Sequence, residues 1–401
     1  MTLAFAFRTA PEVLFGAGKS AEAPPIVARL GARCLLVTGR SSLERSGKLA
    51  ALEEALGWRG VECGRFSVEG EPEVPVVDEG ARMAREGRFD VVLAVGGGSV
   101  IDTAKAIAAL ATNPGPAMDY VEAVGAGRNI DRAPLPLVAV PTTAGSGSEV
   151  TKNSVVRVPE LRVKRSIRSD LMVPRVAIVD PALIATAPRA VAASSGLDAL
   201  THLVEAYLSK GAQPMTDVLV VPGMRMAFRA LTALAEGRAD EASWEAMSLA
   251  ALWGGIALAN AGLGAVHGLV APLGGRCAVP HGAGCGCLLP ATFRANVAAL
   301  RARAPEGRAL ARAVEVADLI LPDTHTDRSP ERAAEAFDGL REKLGVPPLG
   351  AYGVTEGDLA EIIAGSRAGS MRNNPIELTD AELDGILRQT LAQSGGEAAV
   401  D

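Results

Sequence analysis

Short apolar runs alternate with helical periodicity through the first half of the chain. Residues 34–38 are almost wholly apolar and predict a buried strand, followed by a turn at Gly39-Arg40-Ser41-Ser42 and a helix over 43–56. The pattern then repeats. A strand is expected over 61–68 and a helix over 76–86, with Pro75 where a helix start tolerates it. A strand over 90–95 runs straight into Gly96-Gly97-Gly98, a helix follows over 100–111, and a strand over 135–140 ends at Pro141. Residues 176–179 read as a last strand or an edge. Strands alternating with helices of about 10–15 residues predict βαβ units and a parallel sheet.

After about Pro188 the texture changes. Ala/Leu-rich helical segments recur at 191–208, 215–234, 241–261, 298–317, 330–343 and 379–393, and strand-like runs are scarce. Pro222 and Pro305 are expected to kink or split two of these helices. Residues 211–214 and 345–350 read as loops. The fold class is therefore an α/β, Rossmann-like parallel-sheet domain over 1–187 followed by an all-α domain over 188–401.

At 401 residues, 48% hydrophobic, the chain can bury a large core, which excludes wholesale disorder. A net charge of −6 makes it a poor general binder of nucleic acid or anionic membrane. Five cysteines in so long a chain do not form a secreted disulfide framework. Residues 1–19 show no basic-then-apolar leader pattern. From Ala246 to Gly275 there is no charged residue, a length that could span a bilayer. That stretch holds Asn260, His267, Pro272 and many glycines, so it reads as a buried helix plus loop. The expectation is a soluble cytoplasmic protein without a membrane or nucleic-acid partner.

Two glycine loops carry candidate chemistry. Gly96-Gly97-Gly98-Ser99 joins a buried strand to a helix, where converging N–H groups and the helix dipole suit a pyrophosphate. Ser99 and Asp102 also have capping-box spacing, which any helix could use. The loop is not Gly-x-Gly-x-x-Gly, so the common dinucleotide fingerprint is absent. Residues 141–149 (PTTAGSGSE) form a second polar loop at a strand's carboxyl end, where open α/β sheets bind ligands. Gly18-Lys19-Ser20 resembles the end of a P-loop, but Val13 stands where the first glycine belongs, and Pro24 and Pro25 follow.

The chain has four histidines. Asp198 and His202 are four apart in a helical segment, so they share a face. His267 lies near the end of an apolar helix, and His281 follows fourteen residues on, after prolines and glycines that let the chain turn back. One Asp with three His is a mixed oxygen/nitrogen set suited to Fe²⁺ or Zn²⁺. His325, in a polar run, is assigned to solvent. Cys277, Cys285 and Cys287 bracket His281 without paired zinc spacing and read as bystander thiols.

Taken in order, these segments resemble the iron-containing (group III) alcohol dehydrogenases: Gly96-Gly-Gly-Ser-Val-Ile-Asp102-Thr-Ala-Lys105, the loop over 141–149, Asp180-Pro181, Gly196-Leu-Asp198-Ala-Leu-Thr-His202-Leu-Val-Glu205, His267, and Pro280-His281-Gly282. The likeness runs from Phe15-Gly16 to Asn374-Pro375. It implies a dehydroquinate synthase-like architecture, with Asp198, His202, His267 and His281 as ligands of Fe²⁺ or sometimes Zn²⁺. It implies that Gly96, Gly97, Gly98 and Ser99 hold the cofactor pyrophosphate, with Asp102 of the same helix also at the cofactor. Thr142, Thr143, Ser148 and Lys164 match positions that contact the cofactor. Glu205 is expected to support a ligand or to pack. The implied activity is hydride transfer between NAD(H) or NADP(H) and a small alcohol or aldehyde, in a homodimer.

Two departures stand out. The family often has a second histidine four residues after the one matching His267; here it is Ala271. NAD-preferring members often place an Asp after the first strand, where this chain has Gly39-Arg40-Ser41. A missing carboxylate beside a guanidinium favours the 2′-phosphate of NADP(H), or use of both cofactors. A reductase of an acidic carbonyl, such as maleylacetate, succinic semialdehyde or phosphonoacetaldehyde, is the alternative within redox chemistry. A non-redox lyase like the dehydroquinate synthases is the alternative outside it.

Overall fold

The computed structural model describes residues 4–40, 42–277, 279–322 and 325–391. The chain divides into two compact units, one of residues 8–187 and one that takes residues 188 onward together with 4–7. The N-terminal boundary differs from the expectation that residues 1–187 form the first unit. Residues 4–7 group with the helices, where the Gln213 side-chain amide donates to the Ala6 carbonyl at 3.2 Å.

In the first unit the strands are β1 (Glu12–Phe15), β2 (Arg33–Gly39), β3 (Glu62–Val68), β4 (Val91–Gly96), β5 (Leu137–Pro141), β6 (Asn153–Val158), β7 (Val163–Arg168) and β8 (Val176–Val179). The helices are α1 (Ala23–Leu30), α2 (Ser42–Arg45), α3 (Lys48–Gly57), α4 (Val74–Glu86), α5 (Gly98–Thr112) and α6 (Pro181–Ile184). Six strands pair in parallel in the order β1-β8-β5-β4-β2-β3. β4 is buried at every position, as a central parallel strand covered on both faces must be. Leu36, Leu93, Val95, Val138 and Ile178 pack on Ile26 and Val27 of α1 and Leu49 and Leu56 of α3. Leu35, Val37, Val92, Ala94 and Ala139 pack with Val100, Ile101, Ala104 and Ile107 of α5 on the opposite face.

Three local features differ from the sequence pattern. The helix expected over 43–56 is broken into α2 and α3, with Gly47 at φ +71°. β8 is the last strand of the chain, as expected, but lies inside the sheet between β5 and β1; the edge falls to β1 (EVLF), which is too short to show a period. β6 and β7 form a separate antiparallel hairpin in which charged positions dilute the strand pattern.

The second unit contains α7 (Arg189–Leu208), α8 (Pro214–Ala235), α9 (Glu241–Ala261), α10 (Ala265–Arg276), α11 (His281–Arg303), α12 (Arg308–Ile320), α13 (Pro330–Lys343), α14 (Leu359–Ser366) and α15 (Asp380–Leu391). Pro222 lies inside an unbroken α8, which packs against α7 and α9. Pro305 falls in the break between α11 and α12. The uncharged stretch 246–275 does not run straight: α9 and α10 meet at a 99° bend beside Gly262 at φ +71°. Among the described residues, α8 is long and apolar enough to cross a membrane by length and composition. It also carries Asp217, which accepts from Arg312 Nη1 at 3.0 Å.

Candidate functional site

α7 presents Asp198, His202 and Glu205 along one side, spaced by about one helical turn each. All three are buried. α10 begins just before His267 because Gly262–Gly264 turn the chain; its N-cap, Gly264, has no side chain to cap with. Neighbours do that work. Asn374 Oδ1 accepts from the Ala265 amide at 3.0 Å, and the Glu205 carboxylate accepts from the Val266 amide at 2.7 Å. A carboxylate there also suits the positive end of the helix dipole. The same carboxylate lies 2.7 Å from His267 Nδ1, which leaves Nε2 aimed at Asp198.

His281 is the first residue of α11. The following Gly282 lets α11 approach α7 closely, since a Cβ there would stand 2.1 Å from the Ser194 carbonyl oxygen. The outcome is one carboxylate oxygen encircled by three imidazoles. Asp198 Oδ1 is 3.5 Å from His202 Nε2, 3.3 Å from His267 Nε2 and 3.7 Å from His281 Nε2. Asp198, His202 and His267 are nearly fully enclosed, whereas the His281 side chain is 40% exposed and forms the solvent side.

Sequence reasoning set Cys285 aside as a bystander; the structure places it in this cluster. Its thiol donates to Asp198 Oδ1 at 3.3 Å and lies 3.7 Å from His267 Nε2. Donor atoms of Asp198, His267, His281 and Cys285 all lie within 4.8 Å of one another. The other two thiols do not join them: Cys287 donates to the Pro347 carbonyl, and Cys277 lies ahead of α11.

The electrostatics follow from this crowding. Burial would raise the Asp198 carboxyl, but His202, His281 and His267 hold it well below the usual carboxylate range. Burial would lower His267, but Cys285, Asp198 and Glu205 hold it well above its usual value. Burial pushes the Cys285 thiol up to about 12.

A buried carboxylate ringed by imidazoles fits a divalent cation. Two ligands about 2.0–2.2 Å from one ion, at about 90–110°, lie about 3–3.5 Å apart, near the separations found here. All four residues singled out in the sequence come together. His325 has no part in the cluster.

The glycine loops lie in the α/β unit, at adjoining strand ends. Thr142 N donates to the Gly96 carbonyl at 2.9 Å, and a Cβ on Gly98 would stand 2.5 Å from Ser146 Oγ. α5 begins at Gly98 with Gly97 as its N-cap and no capping side chain, so first-turn N–H groups remain for an anion. The capping box at Ser99 and Asp102 does not form. The helix starts before Ser99, and Asp102 faces Ser148, the Val155 amide at 2.8 Å and Lys105 Nζ at 2.9 Å. Asp102 and Ser148, expected at the cofactor, are thus hydrogen-bonded to each other and tie the second loop to α5. Thr142 and Thr143 stay partly accessible. Glu149, at the loop's end, is buried, and burial pushes its carboxyl up to about 7.

Beyond β2, Arg40 is paired with Glu69, which follows the neighbouring strand β3. Nothing in the sequence reading pointed to Glu69. Lys164, on β7, is paired with Glu71. Ser41 lies outside the described residues. A helix does follow Gly18-Lys19-Ser20, with Pro24 and Pro25 in its first turn. The loop's N–H groups nevertheless serve an internal anion: Gly18 N and Ser20 N donate to the Asp180 carboxylate at 3.1 and 3.0 Å.

Comparison with known proteins identifies the family. Residues 10–181 match the sequence model of iron-containing alcohol dehydrogenases, and residues 192–391 match that of the family's C-terminal region. The chain belongs to the iron-containing alcohol dehydrogenase family. It is 35% identical to the 1,3-propanediol dehydrogenase of Klebsiella pneumoniae over 384 residues, 91% of this chain and 95% of the relative. Among solved structures, a 1,3-propanediol oxidoreductase superposes with a TM-score of 0.86 at 33% identity, covering 97% of this chain and all of that one. The sulfoacetaldehyde reductase of Bifidobacterium kashiwanohense, solved with NAD⁺, superposes with a TM-score of 0.85 at 29% identity, covering 98% of this chain and all of the other.

Proposed function

We propose that this chain is a metal-dependent, NAD(P)-linked alcohol dehydrogenase working on a small alcohol or aldehyde. The observation that carries this reading is the enclosed Asp198–His202–His267–His281 cluster with one solvent-facing side. A divalent ion held there, Fe²⁺ or Zn²⁺, supplies Lewis-acid polarisation of a carbonyl oxygen. A nicotinamide cofactor would supply the hydride for the carbonyl carbon in the reduction direction, and a proton on the oxygen would complete the alcohol.

The chain's own residues provide the rest. Asp198 contributes a carboxylate kept ionised by its neighbours. Glu205 fixes the ring of His267, so that Nε2 faces the cluster. Gly96, Gly97, Gly98 and Ser99 offer main-chain donors to the pyrophosphate, with Thr142 and Thr143 beside them. Ala271 has no proton to give, so a water chain, rather than a side chain at that position, supplies the alcohol proton.

On cofactor choice, Arg40 offers a guanidinium to a 2′-phosphate, while Glu69 partly neutralises it. Both nicotinamide cofactors are therefore used, with NADP(H) bound through Arg40. We further read the protein as a soluble, cytoplasmic homodimer. The net charge of −6 supports a chain that does not seek nucleic acid or anionic lipid.

A second reading, reduction of an aldehyde carrying an anionic group, is favoured by the likeness to sulfoacetaldehyde reductase. The test is the initial rate of NADPH and NADH oxidation against neutral and acidic aldehydes, using metal-stripped and anaerobically Fe²⁺-loaded protein. Turnover restored by metal supports the dehydrogenase, and the preferred aldehydes decide between the two readings. Bound nucleotide with no turnover on any carbonyl contradicts both.

A further inference from the structure

We propose that Cys285 is itself a ligand of the metal, adding a sulfur donor to Asp198 and the histidines. The inference rests on the metal-centre reading above and goes beyond it, because the family resemblance supplies no thiol here.

The geometry carries it. Cys285 is four residues after His281 on α11, the same spacing that brings Asp198 and His202 onto one face of α7. α11 is drawn against α7 at this level by a missing side chain: a Cβ on Gly286 would stand 2.6 Å from Leu197 Cδ1. Cys285 is fully buried, yet its sulfur meets a carboxylate and an imidazole rather than hydrocarbon alone. An ion about 2.3 Å from sulfur and about 2.0–2.2 Å from oxygen or nitrogen, at about 90–110°, sets those atoms about 3.1–3.6 Å apart. The separations found are 3.3 Å to Asp198 Oδ1 and 3.7 Å to His267 Nε2.

The step balances without any redox partner. The thiol proton leaves to solvent as the sulfur lone pair binds the ion, in the manner of metal-linked proton release. Two consequences follow. Thiolate shifts the donor set toward softer ions, so zinc is favoured over iron more strongly than by Asp and His alone. With Asp198 and the histidines already offering donors, a thiolate would compete with a substrate oxygen for the ion, so it would also tune how readily substrate binds.

The test uses the full chain, stripped of metal and reloaded with Co²⁺ or Zn²⁺ alone. Metal content, the near-ultraviolet sulfur-to-cobalt charge-transfer band and X-ray absorption at the zinc edge are read together. The expected result is about one metal per chain, a charge-transfer band, and a sulfur neighbour at about 2.3 Å from zinc. Both sulfur signals are lost in Cys285→Ser and kept in Cys287→Ser. Wild-type protein that binds one metal with no sulfur neighbour overturns the proposal and leaves the metal-centre reading intact. Wild-type protein that binds no metal overturns that reading, and the proposal with it. The wild-type spectrum decides the matter even if a cysteine variant fails to fold.

Discussion

Glu205 and His267 are bound to each other through more than one contact. The carboxylate of Glu205 lies 2.7 Å from the Nδ1 of His267, and it also accepts from the main chain of the turn that carries that histidine, at Val266 N. Glu205 therefore sets both the tautomer of the ring and the start of α10. Removing a partner that orients a metal-ligating histidine typically costs 10–100-fold in affinity. Glu205→Ala is expected to weaken metal retention by about that factor, read by titration against a competing chelator. Glu205→Gln, which can still accept from the Val266 amide, is expected to lose less. Equal retention in all three proteins would mean that Glu205 only packs.

Asp180 holds three segments at the end of β8. It caps α6 through the Ala182 amide at 3.0 Å and takes donors from Gly18 and Ser20. Burial would raise its carboxyl, but the Ser20 hydroxyl and these amides outweigh that and hold it below its usual value. A carboxyl depressed on folding stabilises the protein above the ordinary carboxylate range, and that contribution fades as pH falls through the lower folded value. Asp180→Ala is expected to cost about 2–3 kcal/mol near neutral pH, from the lost cap and unpaired donors. Denaturant melts at neutral and acid pH check this: the gap between wild type and variant should narrow toward acid.

The two glycine loops touch at Gly98 and Ser146. A methyl group at Gly98 would come within 2.5 Å of Ser146 Oγ and 2.9 Å of Ser146 Cβ, so one loop must move. Overpacking of this kind costs about 1–3 kcal/mol. Gly98→Ala is expected to raise the Kd for NADH and NADPH by about tenfold or more, read by nucleotide fluorescence, with metal content unchanged. An unaltered Kd would remove this loop from the cofactor site.

Arg40 and Glu69 form an ion pair beyond β2, and under the proposed function they set the balance between the cofactors. The pair is exposed and screened by solvent, so the effect is modest. Glu69→Gln is expected to raise the ratio of kcat/KM for NADPH over NADH by up to about fivefold, and Arg40→Ala to lower it. Ratios that do not move in either variant would place the ribose elsewhere.

The sequence made some of this plain and hid the rest for physical reasons. β4 was legible because a strand covered on both faces must be apolar throughout, and Gly96-Gly97-Gly98 marks where it ends. Asp198 and His202 were legible because one helix turn separates them. β1 was not, since a four-residue edge strand (EVLF) is too short to show a period. Glu69 shows why partners are harder to find than ligands: it meets Arg40 only once β2 and β3 pair, and although Glu205 was legible near His202, its partner His267 comes from another helix. The place of Cys285 beside Asp198 and His267 is not legible in the sequence, because zinc spacing rules describe ligands close in sequence and these neighbours come from α7 and α10.

On the proposed function, the cluster around Asp198 holds the metal on which aldehyde reduction depends. The most direct test is a paired measurement on wild type and Asp198→Ala, with His281→Ala beside them: metal per chain after anaerobic Fe²⁺ loading, and the rate of NAD(P)H-linked aldehyde reduction on the same samples. The account predicts that either substitution sharply lowers both metal content and rate, while nucleotide binding persists. A variant that kept its metal and its full rate would contradict it.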